Sequence, residues 1–279
     1  MDDARGIAPP VTTAEVATYR RDGVVAIRGT FDERWREVAR RGMERNVREP
    51  GHRAHVYAGG EGQPRFIQDS CSWWRIPEYA DYCINSPAAA IAGALMGAQR
   101  VNLFFDNIMI KDPGANAPTP WHQDVPYWPV EGMDVCSIWM PLDPITPENR
   151  MTFVRGSHLW GKKYIPTDFG GGRSSGIRPP ADFEPMPDID AHRDRYEFVA
   201  YDLAPGDCVA FHGYVIHGAP GNMTARPRRA MIARFTGDDA RYAPDKHDKL
   251  GPPFPRCGLK PGDPMTCETF PAVWRAPGT

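Results

Sequence analysis

Residues 100–142 read RVNLFFDNIMIKDPGANAPTPWHQDVPYWPVEGMDVCSIWMPL, and they decide the fold. Two runs rich in aromatic and β-branched residues, Arg100–Lys111 and Val135–Leu142, flank a stretch broken by Pro and Gly. That is the pattern of strands joined by an irregular loop. Downstream, further strands are predicted near Met151–Val154, Glu197–Leu203, Cys208–His217 and Arg229–Thr236. Upstream the period changes. Thr13–Arg21, capped by Thr12 or Thr13 and ended by Gly23, reads as a helix, followed by a small strand at Val24–Ile27. Phe31–Arg48 places Phe31, Trp35, Val38, Ala39 and Met43 near one helical face, and Pro87–Ala98 is a second apolar helix opened by proline. Six or more short strands behind a helical layer predict a mainly β fold with flanking helices, a double-stranded β-helix of the jelly-roll, cupin-like kind.

Composition fits this and narrows the function. The 279 residues are 41% hydrophobic and 24% charged, with 30 Pro, 27 Gly and 8 Trp spread along the chain. A formal net charge of −2 offers no bulk attraction to nucleic acid or to an acidic membrane. No apolar run approaches the length of a membrane span, MDDARGIAPP lacks a signal pattern, and the six cysteines form no CxxC pair. A cytoplasmic protein with reduced thiols is expected. Residues 160–196 stand apart as a polar, aperiodic, Gly/Pro/Asp-rich insertion, either a lid or substrate loop or plain surface.

The chemistry-bearing residues lie in the opening stretch. Alternate residues of a strand point the same way, so His122-Gln123-Asp124 delivers an imidazole and a carboxylate to one spot. Two imidazoles and one carboxylate are the donor set of non-haem iron(II) oxygenases. A second pair, His192-Arg193-Asp194, is present, and chance supplies about one such pair in a chain of this composition. Context separates them. His122 has Trp121, Tyr127 and Trp128 around it, the walls of a small-molecule cleft, whereas His192 sits in the polar insertion and reads as solvated surface. A third ligand is expected from CVAFHGYVIH (208–217). On one continuous strand, His212 and His217 would face opposite ways. His217, beside the turn GAPGN, is chosen because substrate reaches a metal at a strand end; His212 is read as structural. Arginine can clamp a dicarboxylate cosubstrate in bidentate fashion, and Arg226, Arg228 and Arg229 all follow at a suitable distance.

Taken in order, IQDSCSWW, NIMIKDPG, APTPWHQDVPYWPVEG, VCSIWMPLDPITPEN, FVRGSH, APGD, FHGYVIHGAPGN and RPRRAMIARFTGDD run from about residue 67 to 238. They resemble the phytanoyl-CoA dioxygenase family of Fe(II)/2-oxoglutarate-dependent oxygenases. The resemblance implies iron(II) at His122, Asp124 and His217, with Arg228 binding the distal carboxylate of 2-oxoglutarate. It also implies Trp139 in the cosubstrate pocket and Asn107 near its keto-acid end. The cofactors would be Fe(II), 2-oxoglutarate and O₂. The reaction would be oxidation, foremost hydroxylation, of an unactivated C–H of a small molecule, with release of succinate and CO₂. Residues 1–279 would form a single oxygenase domain: a helical scaffold and first strands over 1–99, a jelly-roll core over 100–238, and an extension over 239–279. The chain departs from the family at Ala219, where some members carry a hydroxyl for the cosubstrate, and at Arg150, where PENG becomes PENR and a solvent-facing side chain is expected. The start MDDARG carries no peroxisomal address, which argues against the fatty-acyl-CoA member.

Tyr127, Trp128, Trp73 and Phe104, together with Trp74, are expected to line a pocket for an apolar, aromatic or cationic substrate, the last held by ring faces. No nucleic-acid or membrane partner is expected, and the sequence specifies no oligomeric state. Two other readings compete: a jelly-roll metalloprotein of other chemistry, such as a cupin-like isomerase or a zinc site, and a non-catalytic binding protein. Arg228 and Trp139 distinguish the oxygenase from the first, which needs no dicarboxylate clamp; loss of a metal ligand would support the second, and all three ligands are present.

Overall fold

The computed structural model describes residues 10–167, 169, 180–244 and 258–278. Helix α1 (Thr13–Asp22) starts at Thr12, whose hydroxyl accepts from the Glu15 amide while Glu15 reaches back to the Thr12 amide, and it ends at Gly23 with φ +79°. Strand β1 (Val24–Ile27) follows, then α2 (Glu33–Arg48), which buries Trp35, Val38, Ala39 and Met43. Strands β2 (His55–Ala58) and β3 (Phe66–Ser70) and helix α3 (Pro77–Asn85) come next and have no counterpart in the sequence reading. Their short, mixed-polarity stretches carry no clear period. Helix α4 (Ala88–Met96) ends the helical layer.

The remaining long strands are β4 (Arg100–Lys111), β5 (Thr119–His122), β6 (Val135–Pro141), β7 (Thr152–Val154), β8 (Phe198–Ala200), β9 (Cys208–His212), β10 (His217–Ala219), β11 (Arg228–Thr236) and β12 (Ala272–Arg275). They build two antiparallel sheets. The larger has eight strands in the order β1-β9-β6-β11-β4-β3-β2, with β12 also paired to β4, and the smaller runs β8-β7-β10-β5. Two sheets facing one another in this way make a jelly roll, as the strand pattern predicts.

Alternation along β11 shows how the layers divide. Met231, Ala233 and Phe235 join the core formed with the helices, whereas Arg228, Ile232 and Arg234 line the cavity between the sheets. The C-terminal extension is tied in as well, because β12 pairs with Arg100–Asn102 and Phe270 packs on Phe104. Among the described residues no helix is long and apolar enough to cross a membrane.

One expected strand is two. The run Cys208–His217 leaves the large sheet after His212, turns through Gly213–Ile216, and enters the small sheet at His217. The break escapes periodicity because Tyr214, Val215 and Ile216 are themselves buried and apolar. The parity argument that set His212 against His217 therefore does not apply. The two differ because they belong to different sheets.

Candidate metal centre

Asp124 follows the end of β5, and the turn after β9 anchors it: the amides of Asp124 and Val125 both donate to the Gly213 carbonyl, at 2.9 and 3.0 Å. A Cβ at Gly213 would lie 2.5 Å from Val125 Cγ2, so only glycine permits this approach. His122 and His217 are direct cross-strand partners on β5 and β10. Register on the small sheet thus brings the imidazoles together, with ring centroids 4.2 Å apart.

One ligand atom from each of His122, Asp124 and His217 lies within 4.8 Å of the others, and all three residues are buried. Nδ1 of His122 lies 2.9 Å from the Pro120 carbonyl, and Nδ1 of His217 lies 3.0 Å from that of Val215. A carbonyl only accepts, so each Nδ1 carries a proton, and Nε2 is the ring nitrogen left for a metal. His122 Nε2 is 3.6 Å from Asp124 Oδ1. The other carboxylate oxygen, Oδ2, accepts from Ser137 Oγ at 3.3 Å and has Arg234 Nη2 at 3.5 Å. Burial would raise the Asp124 pKa, but Arg234 and the two histidines outweigh it and hold the carboxyl well below its usual range. Burial, with His122 adding, pushes His217 down to about 3, so its imidazole is neutral. The ionised carboxylate of Asp124 and the neutral imidazole of His217 are protonation states a divalent cation requires.

The trio opens into a cavity of about 530 Å³ between the sheets. Arg228, Trp139 and Asn107 line it, as do Tyr127 and Trp128. The Arg228 guanidinium stands 5.2 Å from the Trp139 ring centroid, and its Nε and Nη2 have no hydrogen-bond partner. Burial lowers its pKa to about 10. Trp139 Nε1, Asn107 Oδ1 and Thr119 Oγ1 are likewise buried and unpartnered. A folded chain leaves few such groups without a reason, and a polar ligand in this cavity supplies one. Thr119 lies directly across from Ala219, so a hydroxyl lost at one position faces the cavity from its neighbour. Of the other two candidate arginines, Arg226 is exposed and Arg229 is paired with Asp143 at 2.7 Å. Arg150 reaches Asp202 at 2.8 Å instead of the cavity.

Three expectations for the substrate wall are corrected. Phe104 is fully buried against Phe105, Trp128 and Phe270 and does not line the cavity. The bulge that pairs Arg234 with Phe105 and Phe235 with Leu103 leaves Phe104 without a partner residue on β11. Trp73 packs on the helical core, its amide bound to Asp106, and Trp74 is 42% exposed. His192 and Asp194 are exposed, in keeping with a solvated surface.

Other residues of the site went unread. Arg234 lines the cavity six positions after Arg228 on the same strand face, a period-2 signal present in RRAMIARFT (228–236). Phe169, from the 160–196 insertion, sits 4.7 Å from the His122 ring. The Tyr127 hydroxyl donates to the Thr167 carbonyl at 2.6 Å and so holds this edge of the insertion against the cavity. Residues 168 and 170–179 of the insertion lie outside the described residues.

The profile of the family described as phytanoyl-CoA dioxygenase (PhyH) matches residues 19–230. A probable phytanoyl-CoA dioxygenase of Caenorhabditis elegans is 24% identical over 245 residues, 80% of this chain and 75% of that one. Among solved structures, the non-haem α-ketoglutarate-dependent carbocyclase SnoK from nogalamycin biosynthesis superposes with a TM-score of 0.72. It is 24% identical, with 94% of this chain and 96% of that chain covered. EctD from S. alaskensis, solved with 2-oxoglutarate and 5-hydroxyectoine, gives a TM-score of 0.63 at 20% identity, with 95% and 87% covered.

Proposed function

The chain belongs to the phytanoyl-CoA dioxygenase family of iron(II)- and 2-oxoglutarate-dependent oxygenases, and on that premise we propose that His122, Asp124 and His217 hold the iron and that the enzyme hydroxylates an unactivated C–H of a small molecule. The observation that carries this reading is the buried trio within 4.8 Å, with both Nδ1 atoms turned to carbonyls. Iron(II) and 2-oxoglutarate, when bound, supply the oxidation, consuming O₂ and releasing succinate and CO₂.

The protein's own part is to bind, orient and exclude water. Oδ1 of Asp124 faces His122 while Ser137 and Arg234 hold Oδ2, so Oδ1 is the oxygen that would be offered to the iron. Arg228 takes the distal carboxylate of the cosubstrate against Trp139, with the free hydroxyl of Thr119 in place of the one missing at Ala219. Asn107 is assigned to the keto-acid end. Tyr127, Trp128 and Phe169 wall off the metal side from water. The cavity draws lining residues from 52 to 234, which supports one oxygenase domain over residues 1–279. Cys71, Cys83, Cys136 and Cys208 are buried free thiols, which supports a cytoplasmic setting. A cupin-like isomerase needs no dicarboxylate clamp such as Arg228, and the intact set of three ligands argues against a non-catalytic binder.

The experiment is anaerobic addition of Fe(II) and 2-oxoglutarate. A visible charge-transfer band is expected, and its absence overturns the reading. Arg228→Ala should weaken 2-oxoglutarate roughly 10- to 100-fold, since a charged hydrogen-bonded pair contributes about 1.5–3 kcal/mol. Unchanged affinity would overturn the clamp.

A further inference from the structure

The cavity holds more positive charge than iron and cosubstrate can neutralise. Asp124 is the only acid among the described residues lining it, against the buried guanidinia of Arg228 and Arg234. Iron(II), Asp124 and a bound dicarboxylate together carry one negative charge, which Arg228 cancels. Arg234 is left over.

Arg234 is 7% exposed, and its guanidinium stands 4.9 Å from the Phe105 ring centroid and 5.1 Å from that of Trp128. Nη2 faces Asp124 Oδ2 at 3.5 Å, while Nε and Nη1 are buried with no hydrogen-bond partner. Holding the outer oxygen of Asp124 occupies one edge of the group and leaves these two donors unexplained. Six residues separate Arg234 from Arg228, about 20 Å of strand between their Cα atoms at roughly 3.4 Å per residue, and the guanidinia rest on different rings, Phe105 and Trp128 for Arg234 and Trp139 for Arg228. One cosubstrate carboxylate does not serve both. A buried guanidinium with two open donors is costly unless a further acceptor completes it, and its planar fork matches a carboxylate.

We propose that Arg234 receives a carboxylate of the primary substrate, which makes the substrate a small organic acid with an apolar or aromatic body. The acid group lies beside Asp124, and the body lies against Tyr127, Phe169, Met109 and Met151, which line the same cavity. A cationic substrate is disfavoured, because Arg234 already covers the ring faces of Trp128 and Phe105 that would have received it. The inference rests on the iron and 2-oxoglutarate reading.

Its test uses the full chain loaded anaerobically with Fe(II) and 2-oxoglutarate. The probes are 3-phenylpropionate and octanoate, each compared with its primary amide. Binding is read by calorimetry and by the change in the charge-transfer band. Each acid should bind at least 10-fold more tightly than its amide. The ratio should fall to within 2-fold of one in Arg234→Gln and be largely kept in Arg234→Lys, which retains the charge. Equal binding of acids and amides by the unaltered protein overturns the proposal even if the variants do not fold. A preference that survives in Arg234→Gln overturns the assignment to Arg234. With the charge-transfer band present, either result leaves the iron reading standing. A missing band removes both.

Discussion

His212 and His217 stand five residues apart in one apolar run, each 5% exposed. Burial is the chief cause pushing both imidazoles down to about 3, with His158 adding at His212 and His122 adding at His217. By burial and basicity the two are indistinguishable, yet their surroundings are not. His212 ends β9 with Nδ1 accepting from the Tyr214 amide at 3.0 Å, its ring 5.0 Å from His158 and 6.3 Å from Tyr19. His217 begins β10, donates Nδ1–H to a carbonyl, and turns Nε2 toward a carboxylate and a second imidazole at the edge of a cavity. A perturbed pKa marks a buried group. It marks a functional one only where complementary donors and an open wall meet it.

The sharpest way to break this comparison is to remove each ring. His217→Ala should abolish iron binding and lower 2-oxoglutarate-dependent succinate formation on the order of 100-fold or more, since even outer-shell partners of ligands are worth 10- to 100-fold. His212→Gln should keep turnover per folded molecule and lose roughly 1–3 kcal/mol of stability in urea unfolding. If both variants lost iron equally, the division between the two histidines would be wrong.

Gly213, between them, tests the turn. In Gly213→Ala the new methyl meets Val125 and Val135, an overpacking that should cost about 1–3 kcal/mol. Because the Gly213 carbonyl anchors the Asp124 amide, iron affinity should fall together with the thermal midpoint.

Acid titration tests the buried neutral ring of His212. The folded-state His212 stays neutral down to about pH 3, whereas the unfolded chain binds a proton near pH 6.5. The unfolded state therefore holds more protons, and stability falls as pH drops from about 7.5 toward 3. This one residue should account for about 2 kcal/mol lost between pH 7.5 and 5. His212→Gln should show a correspondingly shallower slope, and an unaltered slope would contradict the buried neutral ring. The smallest effect is expected at Thr119. Thr119→Val removes one hydroxyl contact of about 0.5–1.5 kcal/mol, a loss of roughly 2- to 10-fold in 2-oxoglutarate affinity with iron binding retained.

The jelly roll was legible because Arg100–Lys111 and Val135–Pro141 are long and strongly patterned. His122 and Asp124 were legible from their two-residue spacing and aromatic context, although Asp124 lies past the end of β5 with helical backbone angles, so strand alternation does not itself place its carboxylate. What escaped had physical reasons. The turn at Gly213–Ile216 is apolar, so it resembled continued strand. Strands β2 and β3 are short and only partly buried. Phe104 and Phe105 are adjacent aromatics at a bulge, and nothing in FF tells which one sees the cavity. Arg234 looked like an ordinary charge until β11 was known to turn that face inward, and Phe169 lies in a stretch with no period at all.

The most direct measurement is an iron-edge anomalous difference map from crystals grown anaerobically with Fe(II). The account predicts one strong peak bonded to Nε2 of His122, Oδ1 of Asp124 and Nε2 of His217. Iron bound elsewhere, or no peak among these three atoms at full occupancy of the added metal, would contradict it.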